Sequence, residues 1–146
     1  MGFNVKITGT KELNSTLNKM SGEIKNVRPI FKILSKKLVR YFKENMESEG
    51  QKLLHRRWKR LSPRTIVAKM RLGFGNTKIL ERTGKLRRGI KERRLTRTEL
   101  VIGNKVKYYK YHQLGGGTLP QRQMLGVNRD IEKIVMNEFK KEISFT

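Results

Sequence analysis

The sequence predicts a single α+β domain, in which a small antiparallel sheet packs against one long amphipathic helix and several shorter helices. Three observations lead to this prediction. The chain has 146 residues, which suits one ordinary domain. Some short segments alternate apolar and polar residues, as half-buried strands do. Other segments repeat apolar residues every three or four positions, as one face of a helix does. With no internal repeat or low-complexity linker, we expect one domain over residues 1–146.

Helices are predicted mainly from their ends and their apolar spacing. Pro29 suits the first turn of the longest helix, which reaches about Met46. Ser62 followed by Pro63 predicts a cap and first turn for a helix over 63–71. That helix should direct three side chains inward, and they are Ile66, Val67 and Met70. Further helices are expected over 11–20, just after Thr83-Gly84, and from Ile131 to Phe139.

Strands are expected in three main places. Phe3, Val5 and Ile7 alternate with polar residues at the start of the chain. Two further strands are expected near 89–95 and 99–103, and residues 143–146 are interpreted as a terminal strand. Between these elements, Gly115-Gly116-Gly117 suggests a turn with unusual backbone angles, because glycine adopts positive φ at little cost.

The charge of the chain is strongly positive and unevenly distributed. The sequence contains 35 Lys and Arg residues but only 12 Asp and Glu residues, which gives a formal net charge of +23. Residues 52–94 alone carry a net charge of +14. A charge of this size usually has a polyanionic partner, such as DNA, RNA or an acidic surface.

Two clusters of basic residues are the candidate nucleic-acid surface. The first flanks Trp58 and consists of Arg56, Arg57, Lys59 and Arg60; the second consists of Arg87, Arg88, Lys91, Arg93 and Arg94. Such groups bind phosphates without reading base sequence. The alternatives are a solvated charged face or a surface for an acidic protein. Trp58 could stack on a base if exposed, but we favour a packing role that anchors its loop to the core.

The sequence does not favour catalysis or a bound cofactor. It contains no cysteine and two histidines, and neither histidine lies in a motif with a Ser nucleophile. The acids are too sparse for a two-metal nuclease centre. No apolar segment approaches the roughly 20 residues that a membrane span requires. We therefore expect no enzyme activity, no metal, no cofactor and no membrane contact.

Residues 42–126 resemble the phage virion morphogenesis, or tail completion, family typified by phage Mu-like particles. The first half of the pattern is a Phe and a Glu at a helix end, a Gly, and then Trp, Leu-Ser and Thr. These are Phe42, Glu44, Gly50, Trp58, Leu61, Ser62 and Thr65. The pattern continues with a Leu, a Thr-Gly pair and a second Leu, which are Leu80, Thr83, Gly84 and Leu86.

The second half of the resemblance lies between the last predicted strand and the last helix. It consists of Ile102-Gly103, of Tyr109 with His112-Gln113-Leu114-Gly115-Gly116, and of a loop from Pro120 through Arg122 to Leu125-Gly126. The chain departs from the family at Lys110, where a small residue is usual, and at Gln123-Met124, which replaces Pro-Phe. These departures concern local packing only.

The resemblance implies a structural protein that acts in tail completion or head–tail joining. It implies a homo-oligomeric ring, with a hexamer as one candidate, that contacts other tail or connector proteins. A ring whose lumen carries the basic segment would explain the charge, because DNA could slide past it without specific contacts. The resemblance places the protein in the virion, and in the host cytoplasm during assembly. The alternative function is that of a sequence-independent nucleic-acid-binding protein.

Two motif residues are assigned specific roles. We expect the side chain of His112 to bond the neighbouring backbone and to position the three glycines that follow. Arg122 is expected to fix its loop either to a partner subunit or to an acid within the domain.

Overall fold

The sheet has three antiparallel strands with the last of them in the centre. The computed structural model describes residues 3–6, 27–73, 79–80, 84–96 and 99–144. Strand β3 (Leu100–Asn104) lies between β1 (Phe3–Lys6) and β2 (Ile90–Leu95). Val5 lies opposite Ile102, and Leu95 lies opposite Leu100. The three predicted strands are therefore confirmed, with an irregularity between Glu92 and Arg94 in β2.

One long helix packs on the sheet, a second long helix packs on the first, and together they form most of the core. Helix α1 (Arg28–Glu47) contacts β2, β3 and the last helix, α6 (Arg129–Ser144). The core face of α1 consists of Ile30, Leu34, Leu38, Phe42 and Met46, and that of α6 consists of Ile131, Val135 and Phe139. The helical spacing of these apolar residues predicted both elements correctly.

Four shorter helices connect the long helices with the sheet. They are α2 (Gln51–Leu54), α3 (Pro63–Arg71), α4 (Lys85–Arg88) and α5 (Tyr109–Leu114). Helix α3 has the predicted bounds, and its Ser62 cap accepts a hydrogen bond from the Thr65 amide at 3.3 Å. The sequence did not identify α2 and α5, and the helix expected over 11–20 lies outside the described residues. The described elements thus form the α+β domain that was predicted.

The orientation predicted for α3 is wrong. Met70 is 67% exposed and Val67 is 48% exposed, whereas Lys69 is buried and Ile66 is half-buried. Leu72 is also exposed just after the helix. Apolar spacing shows which side chains share a face, but it does not show whether the same chain covers that face. Val67, Met70 and Leu72 are called the α3 apolar face below.

The terminal strand expected over 143–146 is also wrong where the structure describes it. Residues 143 and 144 continue helix α6, and residues 145–146 lie outside the described part of the chain. The sequence explains this result, since Ile131, Val135, Phe139 and Ile143 follow one another at intervals of four residues. That spacing is typical of a continuous helix.

Candidate functional site

The loop over residues 121–126 is held by a side chain of α5. Gln113 is buried, and its Oε1 accepts hydrogen bonds from the amides of Met124 at 2.8 Å and Leu125 at 3.1 Å. The Tyr109 hydroxyl donates to the same oxygen at 3.0 Å, and burial raises the pKa of Tyr109. The Gln113 Nε2 group donates to the Leu125 carbonyl at 2.6 Å. One glutamine thereby satisfies three backbone groups that the loop would otherwise bury unpaired.

Asn45 holds the same loop from the side of helix α1. The Asn45 side chain is fully buried, and its Nδ2 donates to the Met124 carbonyl at 3.3 Å. Its Oδ1 accepts from the Leu53 amide in α2 at 2.9 Å. Sequence reasoning missed Asn45. The signal was present, because an Asn between Phe42 and Met46 lies on an otherwise apolar face, and a buried amide requires hydrogen-bond partners.

Trp58 is a packing anchor, as the favoured interpretation of the sequence held. Its side chain is 4% exposed, and its Nε1 donates to the Gln123 carbonyl at 3.0 Å. The Trp58 amide donates to the Glu49 carbonyl at 2.7 Å. Gly50 has a φ of +90°, and a Cβ there would lie 2.4 Å from Trp58 Nε1. A buried indole in this position has no free face on which a base could stack.

Arg122 is buried beneath the first basic cluster and contacts its backbone. The residue is 6% exposed. Its Nε and Nη2 donate to the Lys59 carbonyl at 3.1 and 3.0 Å, and Nη2 also approaches the Arg60 carbonyl at 3.4 Å. Burial lowers the pKa of Arg122. Of the two expected partners, the acid within the domain is therefore wrong: within the described residues, the guanidinium binds main-chain oxygens of its own chain.

These four side chains, Asn45, Trp58, Gln113 and Arg122, are called the polar hub. Trp58, Gln113 and Arg122 belong to the family pattern, although they are distant from one another in sequence. All four side chains contact either the loop over 121–126 or the loop that contains Trp58. The hub explains why those residue types occur together, since each satisfies a buried backbone group or fills the space between two loops.

The first basic cluster lies on the loop that the hub fixes. The side chains of Arg56, Arg57, Lys59 and Arg60, called the basic loop, are all exposed. None of the four forms an ion pair with an acid in the described part of the chain. The loop thus presents four uncompensated positive charges on a backbone that is anchored at Trp58 and Arg122.

The second basic cluster is largely engaged in contacts within the chain. Arg87 pairs with Glu47 at 2.7 Å, and Arg94 pairs with Glu99 at 3.2 Å. The Nη2 of Arg93 donates to the Gly89 carbonyl at 3.0 Å. Lys91 and Arg88 are exposed. This cluster is therefore a weaker candidate for a DNA-facing surface than the basic loop.

A cleft of about 420 Å³ lies beside the basic loop. It is lined by Lys59, Arg60, Leu61, Ser62, Thr65, Lys69, Leu80, His112, Thr118, Leu119, Pro120 and Arg122. We call it the basic cleft. It brings His112, Pro120 and Arg122 of the second motif half together with the basic loop of the first.

His112 does not make the side-chain contact that was expected. Its main-chain oxygen accepts from the Arg122 amide at 2.7 Å, but its Nδ1 is buried without a hydrogen-bond partner among the described residues. Burial lowers the pKa of His112, and the positive charge of Arg122 lowers it further. The histidine is thus kept neutral in the wall of the cleft.

The motif glycines adopt the backbone angles expected of them. Gly115, Gly116 and Gly117 all have positive φ, which confirms the predicted turn. A Cβ on Gly115 would lie 2.7 Å from the Gln121 amide nitrogen, so this position also requires a residue without a side chain. Gly84 has a φ of +75° at the start of α4. Thr83 lies outside the described residues.

The described residues hold no group of three or more His, Cys, Asp or Glu side chains that could bind a metal ion. No helix among them is both long enough and apolar enough to cross a membrane.

The model of the phage virion morphogenesis family matches residues 8–144, and the chain belongs to that family. No curated protein and no solved structure matches the chain significantly. Family membership confirms the resemblance seen in the sequence. It assigns the protein to the assembly of the phage virion, which is a structural role.

Proposed function

We propose that the protein completes the phage tail or joins it to the head, as a subunit of a ring whose basic loop lies near the path of the DNA. The observation that carries this proposal is the contrast within one loop. The side chains of Arg56, Arg57, Lys59 and Arg60 are exposed and uncompensated, whereas Trp58 and Arg122, which hold their backbone, are buried.

A fixed loop with exposed cationic side chains suits DNA that passes through a ring. Lys and Arg contact phosphates by charge and by release of counterions, which does not depend on base sequence. Since Trp58 is buried, the loop offers no aromatic ring for stacking on bases. Contacts of this kind would hold DNA loosely and would let it move past.

The α3 apolar face favours an assembly protein over a nucleic-acid-binding protein that acts alone. Val67, Met70 and Leu72 are all about half exposed or more. Adjacent exposed apolar side chains of this kind are typical of protein–protein contacts, and phosphate binding does not require them. The face is therefore a candidate contact between neighbouring subunits or with a tail protein.

Electron microscopy of particles from a phage that lacks this gene tests the proposed role. We expect full heads beside unjoined or abnormal tails, because the joint would be incomplete. Joined and infectious particles without the gene would contradict the proposal, and salt-dependent DNA binding by the isolated protein would then become the leading function.

Complementation of the same phage tests the basic loop. A variant with Arg56→Gln, Arg57→Gln, Lys59→Gln and Arg60→Gln should fold but fail to restore infectious particles. The matched control removes four other exposed positive charges by Lys32→Gln, Lys36→Gln, Lys105→Gln and Lys133→Gln. The control should restore infectivity. Equal restoration by both variants would show that the basic loop has no special part in the joint.

A further inference from the structure

Most of the exposed apolar side chains in the described part of the chain belong to two helices. Nine large apolar side chains are exposed there, and six of them fall into two groups of three. The first group is the α3 apolar face. The second group is called the α5 aromatic face and consists of Tyr108, Tyr111 and Leu114. The domain therefore presents two apolar faces on different elements rather than one.

Helix α3 has little packing of its own within the described residues. Seven of its nine residues are exposed, and it packs closely against no other described helix or strand. A helix of fewer than about 12 residues is marginal in water unless packing supports it. A neighbouring molecule that covered the α3 apolar face would therefore stabilise the helix and bury apolar area at the same time.

The α5 aromatic face lies on a helix that is firmly held from its other side. Tyr109 and Gln113, on the inner side of α5, are buried and bonded to each other at 3.0 Å. The three residues of the α5 aromatic face follow at intervals of three on the outer side and are between 42% and 56% exposed. Tyrosine is enriched at protein interfaces, because its ring adds a large contact area with few torsions to fix. The α5 aromatic face therefore suits a docking role.

The polar groups beside the two faces are complementary. Arg64 and Arg71 are exposed about one turn before and one turn after Val67, on the same side of α3. Guanidinium groups stack on tyrosine rings and are attracted by the negative face of the ring. A cation already takes such a position on α5, since Lys110 Nζ lies 5.2 Å from the centroid of the Tyr111 ring. The arginines of α3 thus match the rings of α5.

We propose that the α3 apolar face of one copy docks on the α5 aromatic face of the next copy. A ring requires two different surfaces on each subunit, because each copy contacts one neighbour with one surface and the other neighbour with the second. The two faces supply this pair. The inference rests on the ring of the proposed function and adds which surfaces join its subunits.

The net charge of the chain predicts how this contact responds to salt. Two copies with a formal charge of +23 repel each other, and salt screens that repulsion. The proposed contact uses apolar groups and arginine–tyrosine stacking rather than ion pairs with acids. Self-association should therefore tighten severalfold between about 0.1 and 0.5 M salt, whereas binding to DNA weakens over the same range. Self-association that weakens as salt rises would indicate ion pairs and would overturn the proposal.

Two variants with one face blocked in each test the pairing in solution. Met70→Glu blocks the α3 apolar face, and Tyr111→Glu blocks the α5 aromatic face. Each variant alone should be monomeric by analytical ultracentrifugation, because it retains only one of the two faces. Their mixture should form a pair with one copy of each and nothing larger. Association of Tyr111→Glu alone, or a mixture that stays monomeric, would contradict the contact.

Disulfide cross-linking tests the same pairing in the particle, since the chain contains no cysteine of its own. The phage that lacks this gene receives two chains together, one with Cys at a position of the α3 apolar face and one with Cys at a position of the α5 aromatic face. After oxidation, mass spectrometry identifies the linked residues. We expect a link for at least one combination, such as Met70→Cys with Tyr111→Cys, because a disulfide forms only when the two Cα atoms lie within about 7 Å.

The control replaces the α5 position by an exposed apolar residue of α1, and Met70→Cys with Ile33→Cys should give no link. Links between two Met70→Cys chains would show that α3 packs on itself, and the proposal would fail. It would also fail if infectious particles contained no link in any combination of the two faces. That result differs from a failure of the proposed function, in which particles would be normal without the gene.

Discussion

The guanidinium of Arg122 is bonded to the main-chain oxygen of Lys59, through Nε at 3.1 Å and Nη2 at 3.0 Å. The Arg122 guanidinium thereby fixes the backbone of Lys59, whose own side chain is exposed to solvent. Within the described residues no carboxylate pairs with the exposed cations of the basic loop, so their positive charge is not neutralised. The arrangement keeps the loop in place and leaves its charge available, which is what a surface near DNA requires.

Replacement of Arg122 tests whether this contact supports the loop. Lysine has the same charge but lacks the planar set of donors that bonds the Lys59 and Arg60 carbonyls together. We expect Arg122→Lys to lower the free energy of unfolding by about 2 kcal/mol, because buried carbonyls lose charged hydrogen-bond donors. Urea unfolding measures the change. The control Arg57→Lys, at an exposed position, should stay within about 0.5 kcal/mol, and an equally small effect of Arg122→Lys would contradict the role assigned here.

Gly50 should be intolerant of any side chain because of Trp58. In Gly50→Ala the new Cβ would lie 2.4 Å from the indole Nε1, and φ at this position is +90°. We expect a loss of more than about 3 kcal/mol, of which strain at positive φ accounts for about 1–2 kcal/mol. The control is Gly117→Ala, which introduces strain at a positive φ without a steric clash, since nothing lies within 4 Å of a Cβ there.

Fluorescence provides the readout for this pair, since Trp58 is the only tryptophan in the chain. In Gly50→Ala the folded protein should show emission shifted to longer wavelength, because the indole is displaced from its buried site. Gly117→Ala should leave the emission unchanged. Similar stability for the two variants, with unchanged emission in both, would show that the contact between Gly50 and Trp58 is not required.

His112 should make stability depend on pH near neutrality. Burial and the charge of Arg122 lower the pKa of His112 in the folded chain below its ordinary value of 6.5. The unfolded chain therefore binds a proton first as the pH falls, and stability is lost from about pH 6.5 down to the folded-state pKa. Glu44 and Glu138, whose pKa values are lowered from 4.5, act in a more acidic range.

The measurement is the free energy of unfolding at several pH values between about 5 and 8. The variant His112→Gln should show a flatter profile over this range than the unmodified chain. His55→Gln, at the exposed histidine, is the matched substitution against which this profile is compared. An unchanged slope in His112→Gln would mean that the buried Nδ1 environment does not govern the titration.

The elements were predictable where local spacing determines them. The apolar spacing of α1 and α6 and the Ser62-Pro63 start of α3 identified these helices from sequence alone. The hub was only partly predictable. Motif residues such as Gln113 and Arg122 were identified by resemblance, but their partners are main-chain groups of loops, and a sequence does not show which backbone groups become buried. Asn45 was missed for the same reason.

The face of α3 that was expected to point into the core is instead a candidate contact in assembly. Val67 and Met70 follow the pattern of a core face, yet no part of the described chain covers them. We expect Met70→Glu to leave the free energy of unfolding within about 0.5 kcal/mol but to reduce self-association or tail binding, as seen by analytical ultracentrifugation. Ile33→Glu, at another exposed apolar position, is the control and should retain association. Loss of association in the control alone would move the contact to α1.

A cryo-electron microscopy reconstruction of the head–tail joint would show whether the basic loop faces DNA in the completed joint. We expect a ring of copies of this chain, with Arg56, Arg57, Lys59 and Arg60 directed at the central channel and the α3 apolar face covered by a neighbouring protein. A joint in which those four side chains point to the outside of the particle would contradict it.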